Sequence, residues 1–432
     1  MVLSIVEKMK LEKYSVGIGD RFGHQGAAQL SAFIKAREQG VEIVPVWNKS
    51  NREHTLIGTH PQDTRVEADR AVKTLGWDSS YYVDADHIGL KTVDMFIGPS
   101  NYFTLDVADF IGKESDPADL ADFTKYCGKY IGMLNIPGIK NGLEVRKESI
   151  VSAGKKYLVA VKEAAKIYRY VASRKGNEDF VTEVSTDETN TPQSPAELFF
   201  VLAALAHEQV PIQTIAPKFT GHFLKGIDYV GDVAQFAREF EQDVAVVAYA
   251  IREFNLPEAL KISIHSGSDK FSLYPVINTI IKKFGAGLHL KTAGTTWLEE
   301  VIGLAMSGSD GLSIAKEIYS QSYARFDELA KPYLAVIDIR KEKLPAPAEV
   351  NKWGSAEFVM ALKHDSSCPR YNTSFRQLIH IGFKVAAEMG DGFTNALDKF
   401  DAVINEGVAE NLYERHLLPI FLGSDRSANP LP

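Results

Sequence analysis

Seven short apolar runs, each stopping abruptly in polar residues, limit the fold of this chain more than any other feature. The runs are SVGIGD (15–20), EIVPVW (42–47), YYVDADH (81–87), FVTEVSTDE (180–188), PIQTIAPKF (211–219), LKISIHSG (260–267) and GLHLKTAG (287–294). Helical patterns lie between most of them, at 26–39, 194–208, 232–254 and 272–284. Strands that alternate with helices of this length form a parallel sheet. Seven such units favour an α/β fold of the TIM-like (β/α)8 barrel type over a doubly wound sheet.

The eighth strand of this barrel is less distinct in the sequence. Two segments compete for it, YLAVIDI (333–339) and LIHIGFKV (378–385), and either of them also fits a helix.

Two regions interrupt the rhythm of strands and helices. Residues 94–179 are too long for one crossover and include KKYLVAVKEAAKIYRYVASRK, whose pattern predicts a long amphipathic helix. We expect a helical insertion here, after the third strand, as a candidate lid. The tail begins at about residue 340 with the Pro-rich LPAPAEV and continues as mostly helical sequence. The whole chain, 1–432, is therefore expected to form one barrel domain with the insertion 94–179 and a helical extension 340–432.

Charge and cysteine content exclude several classes of protein. The formal net charge is −8, with charges of both signs interspersed, which argues against nucleic-acid binding and against an anionic membrane surface. No apolar run approaches the length of a membrane span. Cys127 and Cys368 are far apart and form no metal-binding motif, so we expect two buried thiols in a reduced, cytoplasmic protein. Assembly into a homo-oligomer is compatible with the sequence.

Familiar cofactor and nucleophile motifs are absent. The stretch GIGDRFGHQG (17–26) follows a strand and opens a helix, but its glycines are not spaced as GxGxxG. GAGLHLKT (285–292) lacks the glycine that precedes the lysine of a P-loop. Neither HExxH nor GxSxG occurs. We therefore expect no nicotinamide, no ATP and no serine-hydrolase chemistry.

Three histidines follow predicted strands, and the carboxyl ends of parallel barrel strands open on one face, where active residues lie. They are His87, His222 and His265, after the third, fifth and sixth of the seven runs. Three imidazoles with an open fourth position form a catalytic divalent metal site, and such a metal polarises a carbonyl and stabilises an enediolate. Zinc is the first expectation, and nickel, manganese, iron or cobalt also fit imidazole ligands.

Two carboxylates accompany these histidines. Asp86 and Glu183 are placed to act as an acid–base pair beside the metal. Glu183 lies in the middle of VTEVS, and a carboxylate that faces inward from a strand is costly unless it is paired or bound to a metal. Further polar residues at the strand ends are expected to bind a polyhydroxylated or anionic substrate: Arg21, Gln25, Lys218, Asp269, Lys270 and Lys291.

Structural interpretations compete with each of these assignments. The segment 84–87 also fits a turn whose aspartates accept backbone N–H groups, and His222, between aromatic residues in FTGHF, also fits a packed core histidine. His289 fits the barrel interior, and each lysine alone fits a solvated strand end. Asp187 and Glu188 are interpreted as the start of a helix. A functional site is favoured only because these residues are expected to lie together at one end of the barrel.

Six motifs in order, GIGDRFGHQG, YYVDADHIG, FVTEVSTDET, PKFTGHF, IHSGSDKFSLYP and HLKTAGTTWLEE, resemble the tagaturonate/fructuronate epimerase family. The resemblance covers residues 15–390. It implies a metal-dependent, nicotinamide-independent epimerase of hexuronate catabolism. It places metal ligands at His87, His222 and His265 and the acid–base pair at Asp86 and Glu183, although the adjacent Asp86 and His87 could exchange roles. A neutral ketohexose inverted at C4, as in fructose and tagatose, is an alternative substrate.

The inverted carbon is β to the ketone, so its C–H bond is not acidic. A retro-aldol cleavage, rotation of the aldehyde and re-formation of the bond avoid this difficulty, and a transient hydride transfer is the rival route. His265 would supply the last metal ligand, Gly267 a close turn, and Ser268 a contact to sugar hydroxyls. Two other functions fit the same residues: a metal-dependent aldolase or lyase acting on a sugar acid or sugar phosphate, and a non-catalytic barrel subunit of a sugar aldolase.

Overall fold

A closed barrel of eight parallel strands forms the centre of the molecule. The computed structural model describes residues 9–187, 189, 191–265 and 269–423. Around the barrel the strands follow the order β1-β10-β9-β8-β7-β4-β3-β2, and β5 pairs with β6 in a separate antiparallel hairpin. The strands are β1 (Tyr14–Ile18), β2 (Val44–Ser50), β3 (Tyr82–Ile88), β4 (Tyr102–Asp106), β5 (Gly132–Leu134), β6 (Leu143–Val145), β7 (Val181–Ser185), β8 (Thr214–Ala216), β9 (Lys261–His265) and β10 (Leu288–Ala293). The predicted (β/α)8 barrel is confirmed.

Helices surround the barrel and form the extension. Those up to the end of the barrel are α1 (Gly26–Glu38), α2 (Asn51–Ile57), α3 (Pro61–Leu75), α4 (Pro117–Cys127), α5 (Lys147–Lys175), α6 (Pro195–His207), α7 (Val233–Glu253), α8 (Tyr274–Phe284) and α9 (Thr296–Met306). The extension contains α10 (Ser309–Ala324), α11 (Phe326–Ala330), α12 (Pro347–Val350), α13 (Ser355–Leu362), α14 (Thr373–Ile381), α15 (Phe383–Glu388), α16 (Asp391–Lys399), α17 (Asp401–Leu412) and a π-helical segment (Tyr413–Leu422). Short 3₁₀ turns connect several of them.

Burial on both faces explains the apolar strand runs. Helices cover the outside of a parallel barrel and side chains fill its inside, so strand residues of either orientation leave water. Every described residue of β7 and β8 is buried. The helix between β7 and β8, α6, begins at a capping box. The Ser194 hydroxyl accepts from the Glu197 N–H, and the Glu197 carboxylate accepts from the Ser194 N–H.

One barrel strand lies inside the region predicted as an insertion. β4 pairs with β3 on one side and β7 on the other, so the helical insertion follows the fourth strand rather than the third, and its boundary at residue 94 is wrong. Neither candidate for the eighth strand is a strand. Residues 331–333 form a 3₁₀ turn and 334–339 are irregular, while 378–385 belongs to α14 and α15. β4 was overlooked because it has five residues, of which four are polar or aromatic.

The C-terminal extension is helical through Leu422, as predicted. It starts earlier than residue 340, because α10 already lies beyond the helix that follows β10. The extension builds a second apolar core with α9, and α17 packs along α9 and α1. Cys127 is buried as expected, but Cys368 is only half-buried. Among the described residues, no helix combines the length and apolarity needed to cross a membrane.

Candidate active site

A buried lysine joins the carboxylates at the open end of the barrel. The Lys291 ammonium, on β10, lies 2.7 Å from Asp84, 3.0 Å from Asp86 and 3.2 Å from Glu183. It also donates to the Thr104 hydroxyl on β4. Burial alone would lower its pKa, but the three carboxylates outweigh burial and hold the pKa of Lys291 above its usual value. Two strands, β3 and β7, thus deliver three carboxylates to one charged ammonium.

Glu183 is fully buried, with a hydrogen-bond donor at each oxygen. One oxygen accepts from the Tyr102 hydroxyl at 3.0 Å, and the other faces Thr104 and His265 at 3.2 and 2.9 Å. Burial raises the pKa of a carboxyl, but Lys291 and then His265 outweigh it and hold the pKa of Glu183 well below its usual range. The free-energy cost of burying the Glu183 charge, which made this residue a candidate, is therefore offset by its neighbours.

The three carboxylates differ in their preference for a proton. Burial raises the pKa of Asp84 to about 6 despite the nearby Lys291. For Asp86, Lys291 and His87 overcome the effect of burial, so its pKa is lowered. Asp86 and Glu183 thus both have lowered pKa values, whereas the pKa of Asp84 is raised.

His265 at the end of β9 lies between two carboxylates. Its Nε2 is 2.9 Å from Glu183 and its Nδ1 is 3.3 Å from Asp187. Burial favours the neutral ring, but the charges of Asp187 and Glu183 raise the pKa of His265 to about 10. Asp187 was interpreted as a helix start, whereas it reaches into the site from just beyond β7 and also accepts from the Ser185 hydroxyl.

A backbone irregularity at the end of β3 brings Asp86 and His87 to the same place. Adjacent residues of a regular strand point to opposite faces, but the register between β3 and β4 shifts between Ala85 and Ile88. His87 has φ of 55°, an uncommon value for a residue other than glycine. Its Nδ1 lies 2.6 Å from Asp86, and its ring centroid lies 5.3 Å from that of His265. Strained residues of this kind occur at functional sites.

Two histidines and one carboxylate form a set compatible with a divalent metal. One ligand atom from each of His87, Asp187 and His265 lies within 4.8 Å of the others. This donor set suits a first-row divalent ion and does not identify which one. His222 does not join this set: its side chain is exposed, in the loop between β8 and α7, and its backbone pairs with Val230. Its role as a ligand stays a prediction.

The candidate substrate-binding residues are distributed around the mouth. Arg21 is 3.1 Å from Glu53 and stacks on the Phe383 ring at 4.1 Å. Gln25 is buried at the start of α1, and Lys218 is half-buried at the end of the β8 region. Ser266, Gly267 and Ser268, together with Glu188, lie outside the described residues.

Asp269 belongs to a buried network rather than to the open mouth. It is 0% exposed and lies 2.7 Å from Arg376, 3.1 Å from His364 and 3.2 Å from His416, and it accepts from Thr295 at 3.1 Å. Its oxygens are thus engaged by groups of α9, α14 and the C-terminal segments. These contacts give Asp269 a structural role, and its contact with substrate stays a prediction.

Lys270 is likewise buried, and its ammonium donates to two backbone carbonyls, Leu224 at 2.9 Å and Ile227 at 2.7 Å. His289 lies inside the barrel as one interpretation held, 2.9 Å from Ser15, and burial lowers its pKa to about 3.

A cavity of about 680 Å³ opens at the opposite end of the barrel, near Met9, Asp179, Pro211 and Pro257. It adjoins the start of β7 and the segments before β8 and β9, whereas catalytic groups of such barrels lie at the carboxyl ends. The candidate site is therefore the lysine–carboxylate–histidine cluster at the other end.

Known proteins resemble this chain over nearly its whole length. The tagaturonate/fructuronate epimerase of Thermotoga maritima is 29% identical over 424 residues, which cover 93% of this chain and 80% of the relative. Two glycerol-complexed crystal structures of the fructuronate-tagaturonate epimerase from Cohnella laeviribosi share the fold. One has a TM-score of 0.79 at 23% identity, covering 95% of this chain and 82% of the other. The second has a TM-score of 0.76 at 24% identity, covering 94% and 81%.

The sequence profile described as tagaturonate epimerase matches residues 3–417. That match takes in every strand of the barrel, the insertion after β4 and almost all of the C-terminal extension. This chain therefore belongs to the tagaturonate epimerase family.

Proposed function

We propose that this protein interconverts D-tagaturonate and D-fructuronate by inverting the carbon β to the ketone. The family and the name of the Thermotoga maritima relative support the reaction. The observation that carries the proposal is the convergence of Asp86, Glu183 and Lys291 beside His87 and His265. Such an inversion needs two acid–base groups and an electrophile around one carbon–carbon bond, which is what this end of the barrel offers.

The donor set at the mouth fits a divalent metal, which His87 and His265 would hold with a third ligand from Asp187 or His222. A bound metal would supply Lewis-acid chemistry at the ketone of the substrate. Asp187 is favoured by its place in the described cluster, whereas His222 is favoured by the family resemblance. The metal content of Asp187→Ala and of His222→Ala, measured after dialysis, distinguishes the two assignments. The variant that lacks the true ligand should lose about one metal ion per chain.

Asp86 and Glu183 would move the protons. One carboxylate removes the proton from the hydroxyl of the inverting carbon, whose oxygen becomes an aldehyde as the bond to its neighbour breaks. The electron pair of that bond passes to the ketone side and gives an enediolate. After the aldehyde rotates, the bond re-forms, and the second carboxylate returns a proton to the alkoxide on the other face. Lys291, 3.0 and 3.2 Å from the two carboxylates, holds their positions and compensates their charge.

Incubation with tagaturonate tests the proposal, with tagatose in parallel, with and without divalent metal, and without added nicotinamide. We expect fructuronate of unchanged mass and little conversion of tagatose. Accumulation of three-carbon fragments would indicate a lyase instead. Absence of any product from either sugar in every metal would refute the epimerase assignment.

A further inference from the structure

Three cationic side chains gather above the acid–base pair, and they come from opposite sides of the barrel. Arg21 lies in the loop after β1, Arg52 on α2 after β2, and Lys225 in the loop between β8 and α7. In the closed strand order β8 is four places from β2, so the loop that carries Lys225 crosses the mouth. Tyr333 of the extension lies between two of the cations, 4.9 Å from the Arg52 guanidinium and 5.9 Å from the Lys225 ammonium.

The positive charge in this cluster exceeds the negative charge that faces it. Glu53 pairs with Arg21 at 3.1 Å. Within the part of the chain that the structure describes, no carboxylate forms an ion pair with Lys225 or Arg52. Burial, and then the positive charge of Arg21, lower the pKa of Lys225 to about 8, with Glu53 and Asp86 opposing the shift. Arg21 and Lys225 are half-buried and Arg52 is exposed, and cations that crowd one another in this way favour an anion from outside the chain.

The segment that presents Lys225 is held at four consecutive carbonyls by buried side chains. Lys270 donates to the first and last, at residues 224 and 227, with distances of 2.9 and 2.7 Å. Gln377 donates to the Lys225 carbonyl at 2.9 Å, and Arg376 to the next at 2.5 Å. The Lys225 N–H in turn donates to Val336 at 2.8 Å. A loop fixed so completely positions its side chain before a ligand arrives, which lowers the entropic cost of binding.

Other candidate cations at the mouth have partners already. The Lys291 ammonium is surrounded by three carboxylates, and the Lys270 ammonium binds backbone carbonyls. Arg21 is engaged by Glu53 and by the His380 carbonyl at 3.3 Å. Lys225 has no such engagement among the described residues, and Asp86 is close enough for its charge to act on it.

We propose that Lys225, assisted by Arg52 at the rim, binds the carboxylate of the sugar acid and so makes the site selective for uronates over neutral ketoses. The inference rests on the proposed function, since it assigns the end of the substrate away from the reacting bond. A carboxylate there would lie between cations from two sides of the barrel, while the keto end reaches the acid–base pair.

The test compares Lys225→Met with the parent enzyme, loaded with metal, on tagaturonate and on tagatose. Loss of a hydrogen bond to a charged group should lower kcat/KM for tagaturonate about 10- to 100-fold, mainly through KM, because the lysine does not touch the reacting atoms. Conversion of tagatose, if the parent shows any, should change less than threefold. Lys225→Arg keeps the charge and should recover most of the tagaturonate activity, while Lys352→Met, at an exposed lysine, should equal the parent.

A binding measurement separates this inference from the proposed reaction. Calorimetry with D-gluconate and with the neutral sorbitol reports the anion subsite whether or not any epimerisation occurs. The parent should prefer gluconate, and Lys225→Met should lose most of that preference while its melting temperature stays near that of the parent. If a folded Lys225→Met keeps the preference and the parent kcat/KM, or if the parent has no preference, the inference is wrong. Arg52→Gln should weaken gluconate binding in the same direction, by a smaller factor.

Discussion

Replacing Arg376 with methionine should destabilise the protein strongly, and more at high pH than at low pH. Arg376 and Asp269 are both 0% exposed and lie 2.7 Å apart. Removing one partner of a buried ion pair costs about 3–5 kcal/mol, because the remaining charge stays buried. The Gly226 and Leu362 carbonyls, which accept from Arg376 at 2.5 and 2.8 Å, lose a donor at about 1 kcal/mol each. Together these losses approach the usual free energy of unfolding of a domain.

The pH dependence follows from the remaining carboxyl. In the parent, burial would raise the pKa of Asp269, but Arg376 and two histidines hold it well below its usual range. The parent therefore gains stability from this group above the unfolded pKa, about 3.9, and loses it only at lower pH. Without Arg376, burial dominates and the pKa rises, so the variant loses stability as pH rises. The gap between the two proteins should narrow from pH 8 to pH 5.5.

Urea unfolding followed by circular dichroism at both pH values measures the gap. The double variant Asp269→Asn/Arg376→Met carries no buried charge at this position and should be more stable than Arg376→Met at pH 8, which keeps the test informative if the single variant barely folds. A loss below about 1 kcal/mol at pH 8, or a gap that widens on acidification, would refute the buried-pair reasoning.

Three further outcomes are expected. Asp86→Asn and Glu183→Gln should keep their metal but lose about 10²- to 10⁴-fold in kcat, and parent-like turnover would remove the residue from the acid–base pair. Chelator treatment should abolish activity and readdition of one divalent ion per chain restore it; a metal-free, fully active protein would contradict the metal proposal. Gly303→Ala should destabilise the protein by about 1–3 kcal/mol, because an added Cβ would lie 2.6 Å from α17. Gly407→Ala, on the same interface, has its nearest contact at 3.9 Å and should stabilise the protein by about 0.5–1 kcal/mol. Chemical denaturation measures both changes.

The barrel and the end of it that carries the candidate site could be predicted from the sequence because both depend on local sequence patterns. Apolar runs that stop in polar residues mark strand ends, and the cost of burying a charge singled out Glu183. β4 carries a weaker signal, since Tyr102 and Thr104 replace aliphatic residues in a five-residue strand. Those same two residues bind Glu183, so the feature that obscured the strand is the one that serves the site.

Contacts between distant segments explain what sequence reasoning missed. Asp187 looked like a helix start because its neighbour His265 lies 78 residues along the chain, on a strand whose position relative to β7 depends on the whole barrel order. Lys225 lies in an irregular loop without a motif, and its position is set by side chains of the extension. Asp269 looked available to substrate because its partners, Arg376 and His416, come from beyond the barrel.

The hydrogen bonds that hold the four carbonyls of residues 224–227 have a consequence for folding during synthesis. A growing chain that ends before Arg376 already contains every barrel strand, including β10, which closes onto β1 through the pairing of Ser15 with His289. It still lacks the two side chains that hold the Lys225 and Gly226 carbonyls. Contacts at such sequence separation form late, so during synthesis the catalytic groups should assemble before the enzyme can discriminate among sugars.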